Sequence, residues 1–138
     1  MIDRSKIQFC KEQYCIGTWN VRSMNQGKLE VVKQEMARVN IDILGISELK
    51  WTGMGEFNSD DHYIYYCEQE SLRRNGLAIM VNKRGQNVVL ECNLKNNRMI
   101  SIHCQDKSFN ITVIQFNATQ IMLKKLMSNG YMKAYKIL

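Results

Sequence analysis

Proline is absent from all 138 residues, where about 5% is ordinary for a protein. Acidic residues end at Asp106, while Lys107, Lys124, Lys125, Lys133 and Lys136 continue beyond it. No apolar run approaches the roughly 20 residues that a membrane-spanning helix needs, so no membrane partner is expected. The first 11 residues alternate in charge and hold no apolar stretch of the secretory-signal kind. The five cysteines, Cys10, Cys15, Cys67, Cys92 and Cys104, are odd in number and form no C-x-x-C pair. This argues against a disulfide framework or a zinc site, and they read as reduced thiols of a nuclear or cytoplasmic protein. Two glycosylation triplets, starting at Asn110 and Asn117, then carry no weight.

The hydrophobic fraction is an ordinary 45%, and the length allows at most one domain with a core. The net charge is 19 − 13 = +6. Such a balance suits a nucleic-acid partner, because Lys and Arg neutralise phosphates and gain from counterion release. Many basic proteins share it, so it indicates a partner class without specifying one.

The most informative stretch spans residues 14–50. Two short apolar runs, 16–21 and 41–46, flank a segment in which Leu29, Val32, Met36 and Val39 recur every three or four residues. That spacing predicts an amphipathic helix over 27–39, with Asn25 as N-cap and Lys28, Lys33, Gln34 and Arg38 facing water. Strand, helix and strand at this length predict a right-handed crossover between parallel strands. In such units the carboxyl ends of the strands line the crevice where sites form. Asn20 and Glu48 would then stand side by side at one rim. An amide oxygen beside a carboxylate suits a hydrated Mg2+, which often binds through only one or two protein carboxylates. A turn-capping Asn20 and a solvated Glu48 would equally satisfy the spacing.

The residues themselves, T-W-N-V-R-S followed by I-D-I-L-G-I-S-E-L-K-W, closely resemble the opening of the endonuclease/exonuclease/phosphatase family. More narrowly, they resemble the apurinic-endonuclease-like domain of LINE-type retrotransposons of the RTE group, and host sequences of the craniofacial development protein 2-like kind. The resemblance implies that Asn20 and Glu48 are catalytic residues and ligands of the metal. It also implies an α+β fold, the first half of a four-layer β-sandwich, truncated.

Further along, residues 51–61 have loop composition, with Trp51 read as covering the neighbouring core, the alternative being stacking on a base or sugar. Asp60, Asp61 and His62 read as solvated. Strands are expected at 63–67 and 77–82, joined by a basic turn containing Arg73, Arg74 and Asn75. In the resembling endonucleases such a turn lies near the DNA, so these three are candidate nucleic-acid contacts of the phosphate-positioning kind, with a merely solvated turn as the equal alternative. A turn at 83–87 leads to an antiparallel meander over 88–92, 99–104 and 109–116. His103 falls on its wet face without a Ser, Cys or Asp at an informative spacing, so it is rejected as a base.

The resemblance ends near Gln115. Where the family continues V-Y-A-P-T, Asn117 stands at the tyrosine and Thr119 at the proline. Residues 117–138 match nothing in the family, yet their lysine-rich pattern fits a one-base shift of the relatives' acidic stretch. A frame-shifted tail after a partial domain at 14–116, with a loose leader at 1–13, is therefore expected. The tail could form a short amphipathic helix, marginal on its own. The family's G-D-x-N, Asp–Tyr and S-D-H motifs would all lie beyond it. The expectation is thus a catalytically inactive remnant of a Mg-dependent DNA endonuclease. Mg2+ would be weakly held or vestigial, and DNA bound weakly without sequence preference. One layer of the sandwich would leave the face around Val113 and Phe116 exposed, favouring self-association. The alternative is a non-enzymatic module binding nucleic acid or protein.

Overall fold

The computed structural model describes residues 3–9, 12–21, 27–47, 49, 53–68, 76–96, 99–106, 109–116, 121–126 and 132–136. Two sheets dominate it. The first is built from β1 (Asp3–Phe9), β2 (Glu12–Asn20), β3 (Ile43–Ser47), β4 (Gly53–Ser59), β5 (His62–Glu68) and β6 (Leu77–Val81), in the order β1-β2-β3-β6-β5-β4. The second contains β7 (Val89–Asn96), β8 (Met99–Asp106), β9 (Phe109–Phe116), β10 (Ile121–Leu126) and β11 (Met132–Lys136), ordered β11-β10-β9-β8-β7. Helix α1 (Lys28–Arg38) crosses from β2 to β3, and one turn of helix, α2 (Lys83–Gln86), follows β6.

The expected crossover is present: β2 and β3 pair in parallel, while the other described pairings are antiparallel. The meander of β7, β8 and β9 is also as expected. Three stretches differ from the sequence reading. Strand β1 lies in the supposed leader, β4 occupies the supposed loop, and β10 and β11 occupy the tail in place of a helix.

Period-two alternation explains the burial. Ile16, Ile43, Ile79 and Val81 of the first sheet meet Ile100, Ile102, Ile111 and Val113 of the second. The opposite face of the first sheet, with Leu44, Ile46, Ala78 and Met80, takes Val32 and Met36 from α1. Each of the Val, Leu, Ile and Met side chains contributes about 1.5–3 kcal/mol by leaving water. The chain therefore supplies two facing sheets, an α+β arrangement consistent with a sandwich, and not the single layer expected. Val113 is only 1% exposed because the second sheet closes over the first. That corrects its assignment to an exposed face; the Phe116 side chain lies outside the described residues.

The helix holds one further correction. Lys33 does not face water but is buried, with Nζ donating to Ser59 Oγ at 3.0 Å and pairing with Asp60 and with Glu30 at 2.5 and 2.6 Å. Asp60 adopts φ 54° in the β4–β5 turn, which aims it at this ammonium instead of leaving it merely solvated. Burial pushes the Lys33 pKa down, but the hydrogen bonds and charges of Asp60 and Glu30 together outweigh it and raise it. The helix begins after Gly27, whose φ of 88° suits glycine; Asn25 lies outside the described residues.

Candidate functional site

The carboxyl ends of β2 and β3 form one rim of the first sheet. Their last pair is Asn20 with Ser47, and the Val21 amide donates to the Ser47 carbonyl at 3.1 Å beyond it. Glu48 lies outside the described residues, but both its neighbours are fixed: Ser47 ends β3, and the Leu49 amide donates to the Gly76 carbonyl at 3.0 Å. Arg73, Arg74 and Asn75 also lie outside the described residues, and Gly76, the residue after them, is held at the same rim. The backbone thus brings Asn20, Ser47, Leu49 and Gly76 to one end of the sheet.

The direction of the side chains follows from register. Across β2, β3 and β6 the pairs make three successive rows: Ile16, Ile43 and Val81, then Thr18, Gly45 and Ile79, then Asn20, Ser47 and Leu77. Paired residues share a face and alternate residues return to it. Ile16, Ile43, Ile79, Val81 and Leu77 all belong to the core between the sheets. Asn20 and Ser47 consequently face that inter-sheet space, at its end.

Polarity rises along these rows. The first is apolar. In the second, Thr18 Oγ1 donates to Gln115 Oε1 of β9 at 3.1 Å, and both residues are fully buried. Gln115 reaches across because Gly45 has no side chain: a Cβ there would overlap Gln115 Oε1. In the third row Asn20 is half-buried, whereas Ser47 is 0% exposed and its Oγ has no hydrogen-bond partner. A buried hydroxyl without a partner is uncommon because it costs about 1–3 kcal/mol in lost hydration.

Among the described residues the donors on this face are oxygens, of the Asn20 amide and the Ser47 hydroxyl, with Glu48 next in the chain. Such a set fits a hydrated Mg2+, which prefers oxygen and retains waters, and offers no thiolate or imidazole for a softer metal. Among the described residues, no three His, Cys, Asp or Glu side chains gather as a metal cluster.

The perturbed titratable groups lie away from this rim. His62, at the opposite end of the sheet, is held below the usual histidine range by burial first and by the Lys33 charge second, against the pull of Asp61, Asp60 and Glu30. Its Nδ1 is buried without a partner. Nearby, a cavity of about 600 Å3 opens among Met36, Ile41, Asp42, His62 and Arg84. Asp42 is the anchor of this pole. Its carboxylate accepts from the Cys15 amide at 2.8 Å, Asn82 Nδ2 at 3.0 Å and Arg84 at 3.0 Å, tying β2, β3 and the α2 turn together. His103 lies on the outer face of the second sheet, bonded to Asn110 and 3.8 Å from Glu91. Burial raises the Cys92 and Cys104 thiols to about 12, which keeps them protonated.

Sequence reasoning missed Thr18, Ser47 and Gln115. Thr18 had a signal, a polar residue two positions before Asn20 in the same strand run; Ser47 and Gln115, each preceded at every second position by Gly, Ile or Val, had none.

No protein-family model matches the chain. Two curated proteins do resemble it closely. One from Tragulus javanicus is 76% identical over 113 residues, 82% of this chain, and one from Bos taurus is 74% identical over 116 residues, 84% of this chain. Both are named Craniofacial development protein 2. The chain spans 20% of the length of each, and over that fifth it is similar to Craniofacial development protein 2.

Proposed function

We propose that this chain is a catalytically inactive remnant of a Mg-dependent DNA endonuclease domain of LINE/RTE retrotransposon origin, retaining a cation-binding and phosphate-binding rim. The observation that carries the reading is the parallel β2–β3 pair, which sets Asn20 in register with Ser47, the residue that precedes Glu48 in the chain. Asn20 and Ser47, which belong to the residues T-W-N-V-R-S and G-I-S-E-L-K that resemble the metal motifs of that family, end these two strands. Asn20 and Glu48 would hold the ion, and Arg73, Arg74 and Asn75 would hold phosphates without reading bases. Bound Mg2+ supplies charge neutralisation at a phosphate. Hydrolysis also needs a group that activates water, and the family motifs that supply one have no counterpart in this sequence. DNA affinity is then electrostatic, weak and sequence-independent.

The test is nicking of supercoiled and abasic-site DNA by the purified chain, with and without Mg2+, beside Glu48→Ala. No nicking by folded protein is expected. Metal-dependent nicking that disappears in Glu48→Ala would overturn the inactive reading. The competing reading, a non-enzymatic nucleic-acid- or protein-binding module, is favoured by the +6 charge and the acid-free stretch after Asp106. DNA binding with a steep salt dependence and no response to Mg2+ or to Glu48→Ala would select it.

A further inference from the structure

We infer that the Ser47 hydroxyl is an outer ligand of the cation at this rim, hydrogen-bonding to a water of the ion's shell in the row it shares with Asn20. The inference rests on the metal-binding part of the function proposed above. Three observations lead to it. Ser47 is fully buried, yet its Oγ has no partner in the protein. Its neighbours do not provide one: Leu77, beside it in the row, is apolar, and Gln115 already accepts from Thr18. The orphan also occurs at one particular place, the row of Asn20 and the position before Glu48.

A hydroxyl is both donor and acceptor, so it matches a metal-bound water, which donates strongly, or a phosphate oxygen, which accepts. The water is favoured here because oxygen-bound Mg2+ keeps several waters and because groups holding such a shell are polar and fixed. Thr18, one row deeper, serves as contrast. Its hydroxyl is satisfied within the protein and belongs to the packing of the two sheets.

The two roles predict opposite signatures. Ser47→Ala removes an unsatisfied buried group, so without metal it should raise the urea midpoint. Its affinity for Mn2+, measured on the full 138-residue chain by the EPR signal of free ion, should fall about tenfold, as for other outer-shell partners. Thr18→Val removes a satisfied hydroxyl and should lower the urea midpoint while leaving Mn2+ affinity within about twofold. Asn20→Ala serves as the direct-ligand control and should lose more affinity than Ser47→Ala. If wild type and Asn20→Ala differ in Mn2+ binding but Ser47→Ala binds like wild type, the inference fails and the proposed site stands. A lower urea midpoint for Ser47→Ala with unchanged affinity would also overturn it, making the hydroxyl's partner a structural water. If wild type binds no Mn2+, the metal-binding reading fails and takes this inference with it.

Discussion

Gly45→Ala tests whether the contact between the sheets is as close as the structure shows. A Cβ at Gly45 would overlap Gln115 Oε1 and stand 2.7 Å from Gln115 Cδ. Gln115 is fully buried, so its side chain must swing away, and its 3.1 Å bond from Thr18 breaks. Overpacking of this kind costs about 1–3 kcal/mol. The unpaired hydroxyl and amide add about 1–3 kcal/mol. The sum is about 2–6 kcal/mol, a large share of the roughly 5–15 kcal/mol that stabilises a domain. Urea unfolding followed by circular dichroism measures it, and a double-mutant cycle isolates the cause. Gln115→Ala alone should cost about 2–3 kcal/mol, since it truncates a packed side chain and leaves Thr18 unpaired. Adding Gly45→Ala to Gln115→Ala should then cost less than about 1 kcal/mol, because the new methyl has room. The reasoning is refuted if Gly45→Ala alone costs under about 1 kcal/mol. It is equally refuted if the same loss persists once Gln115 is truncated, since the damage would then be local to β3.

Three further outcomes are expected. Lys33→Ala should destabilise by about 1–2 kcal/mol in urea unfolding, because the buried stem is lost as well as the pairs to exposed carboxylates. Because His62 has a folded pKa below its unfolded value near 6.5, the unfolded chain binds the proton first as pH falls. Stability should therefore decline on acidification from about pH 6.5 to the folded pKa and then level off, and His62→Gln should flatten that slope. Cys92 and Cys104, with thiols raised to about 12, should resist iodoacetamide at neutral pH in the native state and react after unfolding. Mass spectrometry of labelled peptides separates the two.

Much of this fold was legible because local pattern and tertiary environment agree. Leu29, Val32, Met36 and Val39 keep helical spacing, and Val32 and Met36 are indeed fully buried. Helical phase alone puts Lys33 in water, because it cannot show that β4 and the turn after it bring Ser59 and Asp60 against it. Strand β4 was read as loop because Gly53, Gly55, Asn58 and Ser59 are poor strand formers. Pairing with β5 along its whole length overrides that preference, as sheet context commonly does. Val113 was placed on an exposed face because a resemblance to half of a larger sandwich suggested a missing partner sheet. The facing partner is instead the first sheet of this chain. At the site, Asn20 was legible as the polar end of an apolar strand. Ser47 was not, because a serine before a glutamate carries no message until register puts it in Asn20's row.

The rim combines features that favour holding a cation over using one. The described side chains that face it, Thr18, Gln115, Ser47 and Asn20, are neutral, and none takes up or gives off a proton near neutral pH. General-base catalysis needs a group whose pKa lies near the working pH and within hydrogen-bonding reach of the attacking water. His62, the described histidine with a lowered pKa, lies at the other end of the sheet beside Lys33, and His103 lies on the outer face of the second sheet. Among the described residues, then, neither histidine stands at the rim. Oxygen ligands at the ends of adjacent parallel strands persist as long as the strands pair, because backbone hydrogen bonds fix their spacing. A proton-transfer group has to be delivered by a further element to the same point. Cation affinity should accordingly survive substitutions at His62 and His103 and fall with substitutions at Asn20, Ser47 or Glu48.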